Sequence, residues 1–189
     1  MSSAAAETAE ISGSNKRIAL LIAILALMLA FSEIGGKQAE NESLSKNIEA
    51  SNLWAFFQAK TIRRADAILA AEAMTAHMAE AADPAAKAIM QKQIEAWRAN
   101  AQRLETEPET NEGRRELMAR AKAAETERDF SKHRNEKFEM ASGVLQIAIV
   151  VSSASIITGI GLLAGGGVAL GVLALGLMAL AQFAPLALF

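Results

Sequence analysis

Residues 144–163 read VLQIAIVVSSASIITGIGLL, and residues 168–189 read VALGVLALGLMALAQFAPLALF. Neither stretch contains an Asp, Glu, Lys, Arg or His. A helix crosses the hydrocarbon core of a bilayer in about 20 mostly apolar residues, and each stretch reaches that length. Between them Ala164, Gly165, Gly166 and Gly167 read as a short uncharged turn. The pair predicts a transmembrane helical hairpin over residues 142–189.

The rest of the chain is read outward from that hairpin. Of 189 residues 52% are apolar, and the net charge is only −2, so composition alone suggests one compact soluble domain with no general attraction to nucleic acid. The distribution overrides this, because the apolar runs sit at the two ends and the charge in the middle. Cysteine is absent, which excludes disulfides and thiolate metal sites. His77 and His133 stand alone and form no metal site without carboxylate help. No Walker-type glycine loop, HExxH or dinucleotide fingerprint occurs. We therefore expect no enzyme activity, no cofactor and no small-molecule substrate.

Residues 1–15 are small, polar and weakly acidic, and read as a disordered tail. Lys16 and Arg17 then precede the apolar run 18–31. A secretory signal is one reading, with Ala30, Phe31 and Ser32 as a passable cleavage site. An uncleaved first span over residues 16–36 is the favoured reading, because Ile34, Gly35 and Gly36 extend the low-polarity stretch.

Residues 37–141 form a polar, helix-rich middle with no alternating pattern that suggests a strand. A run without Pro or Gly covers 38–82, about 45 residues or nearly 70 Å of helix. Pro84 ends it, and Asp83 can cap a new helix reaching about Glu105. The polar loop 106–113 follows, and a third helix from Arg114 runs through Gly143 toward the hairpin. The lengths suggest an antiparallel stalk. Its outgoing seam would use Leu44, Ile48, Leu53, Phe57, Ile62, Leu69 and Met74. Ile89, Ile94, Trp97, Leu104, Leu117, Phe130 and Phe138 would answer on the return. The spacing is only loosely heptad, so a regular coiled coil is not assured. Many seam positions are alanine, which buries little area and points toward partner helices.

Three groups of residues are candidate sites. The first is the run 52–64, with Asn52, Trp54, Phe56, Phe57, Gln58, Lys60 and Arg63. Its aromatics spread around more than one helix face, which reads as a domain core or as a docking surface for a partner. The second is the basic flank Arg128, Lys132, Arg134 and Lys137, an ordinary interfacial flank or a contact for anionic lipid headgroups. The third is the set of small residues Ser152, Ser155, Gly159, Gly161, Gly165, Gly167 and Gly171, whose spacing lets helices approach closely in lipid. Lys and Arg before the second span place the middle on the cytoplasmic side, while a first helix starting from Lys16 and Arg17 would place it outside.

The runs NKRIALLIAILALMLAFSEIGGKQAE (15–40) and NIEASNLWAFFQAKTIR (47–63) resemble a bacterial membrane family known as domain of unknown function 4337. The resemblance covers nearly the whole chain and is most specific over residues 52–60. It implies one N-terminal span, a helical middle and two terminal spans, and it counts against cleavage at the Ala30, Phe31 and Ser32 site, because it continues straight through it. It implies no activity.

The expected fold is thus an all-α membrane protein with three transmembrane helices and a helical extramembrane domain. The expected partners are lipids, further copies of the chain or subunits of a membrane complex, in the bacterial inner membrane. The expected role is a structural or accessory subunit or a self-associating scaffold, with a homo-oligomeric pore as the alternative. Without detergent the purified chain should pellet at high speed, and a chain that stayed in the supernatant would refute the membrane reading.

Overall fold

A computed structural model describes residues 2–187, with side chains from Asn15 onward. Four helices make up the described residues, with no strand among them: α1 Ser2–Glu80, α2 Pro84–Glu105, α3 Arg114–Thr158 and α4 Gly161–Phe183. The stretches of α1, α3 and α4 that read as spans are long and apolar enough to cross a membrane. The chain divides into two compact units. One holds the residues up to 44 with those from 128 onward, and the other is Ser45–Glu127.

The helix boundaries mostly follow local chemistry. Asp83 has extended backbone and its Oδ1 accepts from the Ala85 backbone N–H at 3.0 Å, with Pro84 in the first turn, where its missing N–H costs nothing. Residues 106–113 are non-helical as expected, and α3 passes through Gly143 unbroken.

Three boundaries differ from expectation. α1 begins at Ser2, so residues 2–15, read as part of a disordered tail, are helical; alanines 4–6 are strong helix formers that extend a helix nucleated by the apolar run behind them. α1 also continues through Gly35 and Gly36, so the run read from residue 38 belongs to the same helix as the first span. A Cβ on Gly35 would lie 2.8 Å from Cζ of the Phe138 ring. The glycines admit that ring, and its burial offsets a helix-propensity cost of about 1 kcal/mol each.

The third correction concerns the hairpin turn. It lies at Gly159 and Ile160, not over Ala164 to Gly167, which belong to α4. Gly159 has φ +70, the left-handed conformation that ends helices, and its N–H donates to Ser155 O at 2.9 Å. Ser155 Oγ donates to Ile160 O at 2.9 Å, and Thr158 Oγ1 accepts from Ile160 N. The later glycines are used for packing. A Cβ on Gly167 would collide with Ser152 Oγ, and one on Gly171 would meet a Leu25 methyl at 2.7 Å. Leu25, Ala141, Leu145, Ala148 and Ala174 form the core of this first unit.

In the second unit α1 pairs antiparallel with α2 and the start of α3. Thr61 meets Arg114, and Trp54 meets Glu125. Its seam is only partly the one expected. Leu53, Ile94, Leu104 and Leu117 are buried, while Met74 and Trp97 are half-buried. Ile48, Ile62, Leu69 and Ile89 are exposed, so they are not seam residues. Of the others expected there, Leu44 and Phe130 belong to the first unit and are exposed, and Phe138 packs in that unit against Gly35. The missing seam positions are alanines: Ala50, Ala67, Ala71, Ala101, Ala121 and Ala124. Small side chains let the helices close up, and they turn α1 so that its larger residues at 48, 62 and 69 face outward.

This seam leaves few large side chains holding the second unit. Leu117, 0% exposed, lies at the centre of its cluster. Leu117→Ala should lower unfolding stability by about 2–4 kcal/mol, read as a depressed melting temperature by circular dichroism in detergent. Ile89→Ala, at an exposed position on α2, should leave that temperature nearly unchanged.

Candidate functional site

The aromatic run is held mainly by its own unit. Trp54 and Phe57 lie one turn apart on α1 and meet edge to face, with centroids 5.4 Å apart and an interplanar angle of 86°. A half-buried indole needs an acceptor for its N–H, and Trp54 Nε1 donates to Glu125 Oε1 of α3 at 2.9 Å. The guanidinium of Arg114 lies 4.9 Å from the Phe57 centroid, and Lys60 Nζ 5.3 Å from that of Phe56. Lys60 is buried and reaches Glu107 at 3.6 Å and Glu112 at 4.0 Å across the loop before α3. Trp54, Phe57 and Lys60 are thus brought together as internal packing. Asn52, Phe56, Gln58 and Arg63 face outward. Arg63 borders a shallow groove of about 330 Å³ with Asp66, Trp97 and Asn100.

Beside this packing lies an ion-pair hub that the sequence did not single out. Glu105, the last residue of α2, receives Arg64 Nε at 3.1 Å, Arg115 Nε at 3.3 Å, and Arg114 Nη1 in a hydrogen bond. Arg114 also donates to Thr61 Oγ1 at 2.8 Å. One carboxylate therefore ties the end of α2 to the start of α3 and to α1. Only the number of acids and bases in 102–116 hinted at it, and the choice of partners needed the turn geometry.

The basic flank is divided. Arg134 donates to Glu42 and to Gln182, each at 3.3 Å, and Lys137 is buried and donates to Ala187 O at 2.9 Å. Arg128 pairs with the adjacent Asp129, and Lys132 lies 3.9 Å from Glu136 on its own helix. Lys132, two-thirds exposed, is the most outward of the four. Near them a groove of about 350 Å³ is lined by Glu33, Lys37, Glu40, Asn135, Glu139 and Gln146. It mixes acids, a base and amides. No group of three or more side chains that could hold a metal ion occurs among the described residues.

The small residues of the hairpin also divide. Ser152, Ser155, Gly167 and Gly171 are buried in the first unit, while Gly161 and Gly165 have open space where a Cβ would project. Gly159 serves the turn.

These features define a class: an all-helical protein with three helices long and apolar enough to cross a membrane, in which Glu105 and Arg134 each join separate helices. The chain belongs to the family described as domain of unknown function DUF4337, which matches residues 14–184. No curated protein and no solved structure matches it.

The hub carries a pH dependence. Partial burial pushes the Glu105 carboxyl up, but Arg114, Arg115 and Arg64 outweigh it and hold the group below its ordinary value. A lowered folded pKa contributes stability above the ordinary carboxylate range, and that stability is lost as pH falls through the folded value. Glu105→Gln should therefore melt at a lower temperature than wild type at pH 7. The difference should shrink toward zero as the pH is lowered below the carboxylate range, in paired thermal melts.

Proposed function

We propose that this chain is a non-enzymatic integral membrane protein of the bacterial inner membrane, which self-associates as a structural scaffold or serves as an accessory subunit of a larger complex. One observation carries the reading: the three span-length helices are apolar on their outer surfaces as well as within. Ile157, Leu162 and Val172 are exposed large apolar residues of α3 and α4. In water such side chains cost about 1.5–3 kcal/mol each relative to burial; in hydrocarbon the cost disappears. Without a hydrophobic drive, helices in lipid associate through close packing of small residues. Ser152 against Gly167, and Leu25 against Gly171, are contacts of that kind.

The second unit extends the reading. It is an antiparallel helical unit with a thin alanine seam, suited to presenting a surface rather than enclosing a substrate. Lys132 and Arg128 suit an interfacial position at anionic headgroups, where each near-surface base contributes about 1 kcal/mol, and they favour a cytoplasmic middle.

Particle mass after mild extraction from native membranes tests this. A multiple of 20.0 kDa, or a fixed co-purifying subunit, is the expected result. A lone single-copy particle with no companion would overturn it, and single-channel conductance from the purified particle would turn the reading toward a pore.

A further inference from the structure

The correction to the stalk seam leaves a surface that needs an occupant. Ile48, Ile62 and Leu69 are 54%, 62% and 62% exposed. They lie on α1 in the second unit, away from its buried face at Leu53, Ala67 and Ala71. With Ala55 and Ala76, also exposed, they form a column spaced by seven throughout: 48, 55, 62, 69, 76. In the sequence the same spacing runs back through Asn41, Ile34 and Leu27 to Leu20. Exposed isoleucines in a charged helix are unfavourable in water, and a column repeating every seven residues stays on one line along a helix that supercoils with a partner. Here it fills one of the two seam positions of each heptad, with Ser51, Gln58 and Ala65 at the other.

We propose that this column is the self-association seam, where α1 of one copy lies parallel to α1 of a second copy about a twofold axis. The proposal rests on the scaffold reading above and names its interface. The occupant follows from three observations. First, the seven-residue repeat selects a long helix as partner, because knobs recur at the same height only along another helix. Second, every copy of a membrane-inserted chain has the same orientation, so a symmetric contact between copies is parallel and sets each column position against itself. A closed contact of this kind between two copies is twofold, the commonest symmetry of homo-oligomers. Third, the residues adjoining the column from Ser51 to Ala65 are small or uncharged: Ser51, Asn52, Gln58, Ala59 and Ala65. Asp66, Glu72 and Glu80 adjoin its far end. Like charges would there face each other, so the contact is tightest between Ile48 and Ile62 and loosens toward Glu80.

The size of the contact agrees with a membrane-held pair. From 48 to 76 the column is about 42 Å long, and a helix packed at 8–10 Å covers a strip about 10 Å wide. That buries about 800 Å² over both copies, below the roughly 1,200 Å² of a stable interface in solution. Confinement of both copies to one bilayer raises their effective concentration and makes up the difference.

The chain has no cysteine, so single introduced cysteines report the seam in native membranes. Ala55→Cys and Ile62→Cys should form a disulfide dimer under mild oxidation, since equivalent seam positions come within disulfide reach. Leu69→Cys should do so less efficiently. Lys92→Cys on α2 and Lys122→Cys on α3, both exposed, should not. In parallel, Ile62→Glu combined with Leu69→Glu should convert the multi-copy particle to single copies while its thermal unfolding stays unchanged. A multi-copy particle whose column cysteines cross-link no better than the controls would overturn the seam and leave self-association standing. A particle holding one copy would overturn both.

Discussion

The structure depends on one constraint: no ionisable side chain occurs anywhere in residues 144–189, so this part of the chain must satisfy its polar backbone by itself. A helix does so within the segment. What remains is how helices hold together where lipid is as apolar as leucine. The contacts are accordingly close. Glycine meets serine, glycine meets leucine, and Ser32 Oγ is buried and donates to Phe138 O at 2.9 Å. Phe138 in turn lies on Gly35 and Gly36. Glycine in α1 thus serves the approach of a ring rather than a bend.

Outside that region the chain uses the opposite chemistry. The second unit buries mostly alanine and few large side chains, and its connections are drawn together by charge. Glu105 gathers three arginines where α2 ends and α3 begins. Single exposed ion pairs contribute about 0–1 kcal/mol, but one partly buried carboxylate sharing several guanidinium partners acts as a network. The hub matters here because the loop between α2 and α3 offers little apolar surface of its own.

Much of this was legible beforehand. The spans follow from uncharged length, the Asp83 cap from an acid before proline, and the break at 106–113 from Pro108 and Gly113. The hairpin turn was misplaced because three consecutive glycines outweigh one in any local reading. Only tertiary contact separates glycines that admit a neighbour, such as Gly167, from the one at Gly159 that requires a positive φ. The stalk seam was misread for a related reason. Ile48, Ile62 and Leu69 were assigned to the inside, whereas alanine at 50, 67, 71, 121 and 124 occupies it beside Leu53 and Leu117. Trp54 was read as core or docking surface, and Glu125, which accepts from its N–H, is 71 positions away and was not singled out.

The turn at Gly159 and Ile160 has a consequence for biosynthesis. Only two residues separate α3 from α4, and neither is charged, so a hairpin entering a bilayer draws no hydrophilic loop across it. The two helices can insert as a pre-paired unit, and both outer ends then remain on the face from which they entered. The bond from Arg134 Nη2 to Gln182 Oε1 joins those ends. It ties the two arms together at the end opposite a turn that carries no charge.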